Sequence, residues 1–505
     1  MKKSSGILKQ TTGVLMLTLL IKALGFIKQA ILAAVYGATI ETDALYISSG
    51  IINSLCNVIF SAIAISLLSM YAKRVAEAGR KKANRLINQT LFVFLPLSLL
   101  ITVIFFFAAP VAAKFFAPSY TGEEYALLVS DIKALSICFV LACYYLILNV
   151  VAEANKDFFS GKGYSFFQNL FVILAACAFT DIKDAQYLVY AFVLAGVAQC
   201  AWITFRVRKI YKPDLTRRSG KQYTMHLIGL MVPLLIGNAI YEINDIVDKQ
   251  ISSGLGGGSV SILTYGASIN EIVTTVIIAS VSTVLFSHFA TWAAEGKIDE
   301  IESHLELSND CLAVVTIPAS VLCIVAGQEI VSVLFGRGNF TQDSVLLTCG
   351  VVAGYASGFI FQAMRANFVK AFYAFGDTKR PMINGAISVG CNICLSLFLS
   401  RYIGIAGVAF ATSISMFIAT LLLGHQLKIY LPNYRYFKNK SELLKVLIAS
   451  VIGSVGLILI KSLLHGNAFI ALIAETVVFG ALYCIVLCVL KSSTVHFALR
   501  LIKKK

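Results

Sequence analysis

Charge is scarce in this sequence. Only 13% of its 505 residues are Asp, Glu, Lys or Arg, while 58% are hydrophobic and the mean hydropathy is +0.82. A soluble chain of this length needs a far more polar surface, so the composition excludes one and makes a bilayer the solvent. No polar stretch between the apolar runs is long enough for a nucleotide-binding domain. The glycine-rich "GLGGGS" (Gly254–Ser259) is followed by no G-K-[ST] and reads as an external turn, not a phosphate loop. No cluster of His, Cys and carboxylates has metalloenzyme spacing, His226, His288, His425 and His465 are scattered, and no Ser/His/Asp set stands out. An enzyme is therefore not expected, and any work must draw on an ion gradient, the membrane potential or the substrate's own gradient.

Two further absences narrow the class. The N-terminus ("MKKSSG", then an apolar run) has no small-residue cleavage site leading into a polar domain, so it reads as a first span rather than a signal peptide. Cysteine is not scarce, at 12 residues, but most lie inside apolar runs, where a free thiol is a small apolar group. Cys391 and Cys394 have C-x-x-C spacing without a second ligand pair.

What is present is a series of long apolar runs. A bilayer core needs about 20 apolar residues per helix. By that measure about fourteen spans are expected, near 11–36, 43–70, 87–110, 132–152, 164–181, 186–206, 225–248, 260–290, 311–332, 344–372, 382–402, 405–428, 443–464 and 468–490. The expected fold is an all-α polytopic membrane protein. With the N-terminus inside, most of the 42 Lys and Arg fall in inside loops and termini, which places both termini in the cytoplasm. The net charge of +16 is thus read as facing an anionic leaflet, not nucleic acid. The long basic loop "RVRKIYKPDLTRRSGK" (Arg206–Lys221) suggests a first six-helix lobe over 1–206, a linker at 207–224, a second lobe over 225–430, and a last helix pair with a tail over 431–505. A faint echo of Lys28-Gln29 in Lys249-Gln250 is of the kind duplicated transporter lobes show.

A few charges lie where a membrane helix should have none. A Lys or Asp at the bilayer centre costs roughly 2.5–3.5 kcal/mol, so such groups normally face a cavity or a partner. At about 100° per residue, Lys22, Gly25 and Lys28 fall within one sector of the first span, with Gln29 about 20° from Lys22. That sector is expected to face a cavity, with Gly25 leaving open space between the two ammoniums. Lys22 lies roughly 15 Å from the inner end, too deep for easy snorkelling. Asp43 opens the second span, either as a helix N-terminal acid or as a partner of Lys28 at an outer gate. In span seven, Glu242, Asn244, Asp245 and Asp248 line one face, as cation ligands or as counter-charges to the lysines, and Glu271 in span eight adds a carboxylate. Arg365 and Lys370 complete the intramembrane cations.

"KALGFIKQAILAAVYGATIETDALYIS" resembles the first two helices of the MurJ (MviN) lipid II flippases, of the multidrug/oligosaccharidyl-lipid/polysaccharide exporter superfamily. The resemblance continues in "VDKQISSGLGGGSVSILTYGASI", in "VLFGRGNFTQDS" and in "AFYAFGDTKRPMINGAISVGCNICLSLFLSRYIGIAGVAFATSIS". It implies a V-shaped pair of six-helix lobes around a cationic cavity, with two extra helices forming a groove for a lipid tail. It implies outward transfer of an undecaprenyl-diphosphate-linked sugar-peptide by alternating access in the bacterial cytoplasmic membrane, beside cell-wall synthesis machinery. The expected substrate site comprises Lys22, Gly25, Lys28, Gln29, Asp43 and Arg365. Lysine ammoniums suit a diphosphate, though without the bidentate fork of Arg.

The chain departs from the family pattern in places. Lys22 and Lys28 stand where the family has Arg, and Gln29 where it has an acid. Cys56, Asn57 and Ser268 stand where it has basic residues, and Ser61-Ala62-Ile63 replaces an acidic-glycine element. Some members bind Na⁺, and the matching positions are Asp248, Asn392, Ser396, the Val408 carbonyl and Thr412, with Ser396 replacing an acid. Coupling is therefore expected through Na⁺ or the membrane potential, with no other cofactor. The reading is a lipid II flippase. A flippase for a capsule or exopolysaccharide lipid-linked glycan, a cation-coupled drug exporter and a non-transporting scaffold are the alternatives.

Overall fold

In the computed structural model the chain is described over residues 2–181, 185–212, 221–275, 289–463 and 468–492. Among these residues it is helical throughout, and twelve helices are long and apolar enough to cross a membrane. The expected run near 164–181 forms a shorter helix, Gly163–Ala178. The run near 260–290 passes through 276–288, which lie outside the described residues, as do 213–220 of the basic linker, His288 and His465. The chain forms two compact units, Met1–Ser261 and Ile262–Lys505.

The first unit starts with α1 (Lys2–Tyr36), which ends at Gly37 with φ +70°. Only glycine adopts that left-handed backbone at little cost, so the chain can reverse there. Thr39 and Thr42 form a reciprocal capping box that starts α2 (Ile40–Cys56). A π-helical turn, Asn57–Ser61, joins α2 to α3 (Ala62–Ala78) in one 39-residue candidate span. Such insertions into an α-helix are frequent at functional sites. Gly79 breaks the chain before α4 (Arg80–Phe116). On α4, Leu100, Ile104, Phe107, Val111 and Phe115 recur at helical spacing and are exposed, while Leu91, Phe94, Ser98, Thr102, Ala109 and Ala113 are buried. An apolar exposed stripe opposite a packed stripe is what a lipid-facing helix requires.

α5 (Gly122–Leu135) and α6 (Cys138–Ala154) share one candidate span, followed by α7 (Gly163–Ala178), α8 (Gln186–Val207) and α9 (Lys221–Ser253). Polar links stitch the helices: Thr102 donates to the Ser136 carbonyl at 3.1 Å, Tyr71 to Asn84 at 2.8 Å, and Asn84 to the Ile210 carbonyl at 2.9 Å. Although α9 follows the basic linker, it belongs to this unit and packs on α2, α3 and α4. α10 (Ser259–Val273) runs from the first unit into the second.

The second unit continues with α11 (Ile298–Val325), the short α12 (Gly327–Leu334), α13 (Gln342–Ala356), α14 (Phe359–Ala374), α15 (Lys379–Ile403), α16 (Ile405–Leu427), α17 (Lys440–Leu463) and α18 (Ala468–Val489). Small residues set the closest approaches. A Cβ on Gly354 would lie 2.7 Å from the Ala409 Cβ, so α13 and α16 touch almost backbone to backbone. Phe368, Phe372, Leu423, Leu427 and Tyr434 belong to one apolar cluster of this unit. The acids Glu302 and Glu306 on α11 accept the backbone N–H groups of Asn433 and Arg435, at 2.9 and 2.7 Å, which fixes the segment entering α17.

Candidate functional site

On α1, Lys22 and Lys28 are both half-buried. The space expected beside Gly25 is filled. A Cβ there would meet Asn169 Nδ2 of α7 at 3.2 Å, and that amide donates to the Ile21 carbonyl at 3.2 Å. Gly25 is therefore a packing residue: its missing side chain lets an asparagine approach α1 in the sector between the lysines. The result is a polar patch inside an apolar span, in which Lys22, Asn169 and Lys28 share one side of α1. Gln29 extends it, accepting a hydrogen bond from the Tyr46 hydroxyl of α2.

Asp43, expected in the substrate-binding set, is held by groups of the chain itself. It is fully enclosed, and its carboxylate accepts the Gly258 N–H at 2.7 Å, the Ser261 N–H at 2.6 Å and the Ser261 hydroxyl at 2.6 Å. Tyr120 Oη adds a contact at 3.5 Å. Asp43 thus caps the first turn of α10, not its own helix. Gly258, with φ +85°, makes this possible, because a Cβ there would lie 2.3 Å from the Ala38 carbonyl oxygen. The "GLGGGS" segment is a turn, as expected, and its glycines let it lie against the chain that begins α2.

The acidic face of α9 is engaged by α2 and by its own neighbours. Glu242 accepts from Asn57 Nδ2 at 3.3 Å, at the first residue of the π-helical turn. Asp245 pairs with Lys249 at 2.7 Å, and Lys249 Nζ lies directly over Gly50 of α2, where a Cβ would be 2.4 Å away. Asp248 is buried and accepts from Asn244 at 3.1 Å. Of these carboxylates Asp245 pairs with an ammonium, while Glu242 and Asp248 accept hydrogen bonds from amides.

In the second unit, Glu271 is exposed on α10, and Arg365 of α14 is half-buried with its Nε enclosed and without a hydrogen-bond partner among the described residues. The structure brings Asn392, Ser396, Val408 and Thr412 together. Asn392 Nδ2 donates to the Thr412 hydroxyl at 3.0 Å, which donates to the Val408 carbonyl at 3.3 Å, and Ser396 donates to Asn392 Oδ1 at 3.4 Å. All four oxygens are neutral, and the amide turns its nitrogen toward Thr412. That is a weak donor set for a hard cation, which favours carboxylates. The fifth expected ligand, Asp248, lies in the first unit. No group of three or more His, Cys, Asp or Glu side chains with metal-holding geometry occurs among the described residues.

Sequence reasoning missed Asn169 and Tyr46 as members of the polar patch on α1, and Lys249 as the partner of Asp245 over Gly50. Asn169 left a legible signal, one of two adjacent amides (Gln168 and Asn169) in the apolar "SFFQNLFVILAA". Lys249 was noted only as a repeat of Lys28, and its position over Gly50 depends on how α9 packs. The site as built offers two ammoniums and two amides on one helix pair, the donor chemistry that holds a phosphate or diphosphate.

Comparisons agree with this architecture. The family model for lipid II flippase MurJ matches residues 32–494. A probable lipid II flippase MurJ of Thermotoga maritima is 25% identical over 468 residues, covering 91% of this chain and 92% of that one. Its counterpart in Buchnera aphidicola is 25% identical over 437 residues, covering 83% and 84%. Among solved structures, a lipid II flippase MurJ in an inward closed conformation aligns with TM-score 0.80 at 21% identity, covering 94% of this chain and 98% of that chain. An inward-facing multidrug resistance MATE transporter of the MOP superfamily aligns with TM-score 0.69 at 13% identity, covering 82% and 94%. With the family model spanning most of its length and the same helical fold, this chain belongs to the lipid II flippase MurJ family.

Proposed function

We propose that this chain moves lipid II from the inner to the outer leaflet of the bacterial cytoplasmic membrane, and that Lys22 and Lys28 hold its diphosphate. Lipid II flipping is the activity of the family. The residue assignment rests on one observation: two half-buried ammoniums in an apolar span, on either side of an amide that fills the glycine gap. Charges in an apolar span normally face a cavity or a polar partner, and we read the diphosphate of the substrate as one such partner. Lys22 and Lys28 bind the phosphates by charge-assisted hydrogen bonds, while Asn169 and Gln29 orient them. Exposure of this site first to one leaflet and then to the other completes transfer.

The neutral oxygen set around Asn392 gives little support to Na⁺, so the potential is the better driving force. It supplies about 2.3 kcal/mol per charge per 100 mV, inside negative, returning the empty cationic site inward after release. Both termini lie in the cytoplasm in this reading, supported by the concentration of Lys and Arg in alternate loops.

One observation favours a second substrate. Asn57, where the family carries a basic residue, is bonded to Glu242, and Cys56 is buried, so neither adds positive charge. A less cationic site suits another undecaprenyl-diphosphate-linked glycan. The deciding experiment is rescue of bacteria whose own lipid II flippase can be switched off, with lipid II assayed at the outer leaflet. Export that is lost in Lys22→Ala plus Lys28→Ala and largely kept in Lys22→Arg plus Lys28→Arg supports the assignment. Export that survives the double alanine variant refutes the phosphate site. No export despite normal membrane insertion transfers the reading to the other glycans.

A further inference from the structure

Glu475 interrupts an otherwise apolar helix, "AFIALIAETVVFGALYCIVLCV" (Ala468–Val489). Its side chain is wholly enclosed, and neither Oε1 nor Oε2 meets a hydrogen-bond donor among the described residues. Leu472 and Phe479, one turn to either side, pack into an apolar cluster with Ala326, Ile330 and Leu457. Two charged groups reach Glu475 electrostatically, Glu329 from α12 and Lys461 from α17. Lys461 is already taken: its ammonium is 2.8 Å from Glu329 Oε1 and 3.0 Å from Oε2. α11, which also touches α18, contributes Val321, Leu322 and Val325 to the cluster.

Two carboxyl groups therefore share one ammonium, and the one without it sits in the drier place. A carboxylate with neither counter-ion nor N–H or O–H donors is too costly to bury; such a group takes up a proton instead. A metal cation would not serve, because it needs several oxygen ligands and the surroundings of Glu475 are aliphatic and aromatic. We propose that Glu475 is a proton-binding site of the α17–α18 helix pair, a neutral acid as long as Lys461 stays with Glu329. If Lys461 moves to Glu475, the proton leaves to solvent and Glu329 is left to be neutralised. Proton uptake and release are then tied to the packing of α12 against α18, at a point remote in sequence from the lysines of α1.

The test needs no transport assay, so it stands or falls independently of the lipid II assignment. Infrared difference spectra of the full chain in lipid nanodiscs at neutral pH are compared between the native protein and Glu475→Gln. Expected is loss of one protonated-carboxyl C=O band in the variant, and loss or weakening of the same band in Glu329→Gln, which frees Lys461 to pair with Glu475. A difference spectrum that instead shows loss of an ionised carboxylate overturns the proposal. If Glu475→Gln does not fold, the native protein is treated with dicyclohexylcarbodiimide, which modifies protonated carboxyls in apolar sites, and peptides are mapped by mass spectrometry. Modification at Glu475 that falls away at alkaline pH supports the site; an unmodified Glu475 at mildly acidic pH overturns it.

Discussion

Asp43 separates a structural role from a substrate role more cleanly than any other residue. Its carboxylate accepts two backbone N–H groups and one hydroxyl within 2.7 Å, and it is fully buried. In Asp43→Ala the Ser261 hydroxyl still has a partner, because Thr42 Oγ1 lies 2.8 Å away. The Gly258 and Ser261 N–H groups have none. An orphaned buried donor costs about 1–3 kcal/mol, so the two together remove roughly 4 kcal/mol of stability from the first unit. Asp43→Asn keeps one acceptor oxygen but turns an NH₂ toward an N–H, so about half of that loss is expected. The assay is the midpoint of heat-induced aggregation of the detergent-solubilised chain, read by size-exclusion chromatography, together with steady-state abundance in the membrane. The expected order is native above Asp43→Asn above Asp43→Ala, with Tyr120→Phe close to native because its contact is long, at 3.5 Å. An Asp43→Ala protein as heat-stable and abundant as the native one, yet inactive in rescue, would refute the cap and return Asp43 to the substrate site.

Gly25→Leu is expected to lower abundance several-fold, because even a Cβ would lie 3.2 Å from Asn169 Nδ2. Gly25→Leu combined with Asn169→Ala should recover part of it, measured by membrane immunoblot, since the second change vacates the space the first one fills. Outside the spans, burial pushes the Asp377 carboxyl up, but the Arg380 guanidinium and N–H, with the Tyr430 hydroxyl, outweigh it and hold it below the usual carboxylate range. The native form of Asp377 thus binds its proton less readily than the unfolded one. Its contribution is complete above the unfolded value of about 3.9 and is lost as pH falls through the lower folded one. Asp377→Asn should therefore narrow the stability gap between neutral and strongly acidic pH in thermal melts. An unchanged pH profile would exclude a stabilising role for the carboxylate.

The membrane-spanning helices were legible because bilayer thickness imposes a minimum apolar length, which a one-dimensional reading can measure. Lys22 and Lys28 stood out for a related reason: a charge in an apolar run is expensive wherever it points, so it calls for a cavity or a partner before either is known. Where a partner decides the role, the reading failed. Gly25 looked like open space from α1 alone, and only α7, about 140 residues further along, supplies the asparagine that fills it. Asp43 looked like an N-terminal acid of its own helix or a gate, and it does stand in the first turn of α2, but its second role was not legible. Which helix it caps depends on the glycine turn 215 residues away.

The division has a physical basis. Solvent class, helix content and the presence of unusual charges follow from transfer energies, which are nearly additive along the chain, so the sequence by itself determined them. The roles of individual polar groups follow from hydrogen bonds and ion pairs, whose strength depends on a donor and an acceptor meeting at about 3 Å. Only the tertiary structure decided that Lys249 rests on Gly50, that Asn57 meets Glu242, and that Lys461 pairs with Glu329 while Glu475 stays enclosed without a donor among the described residues.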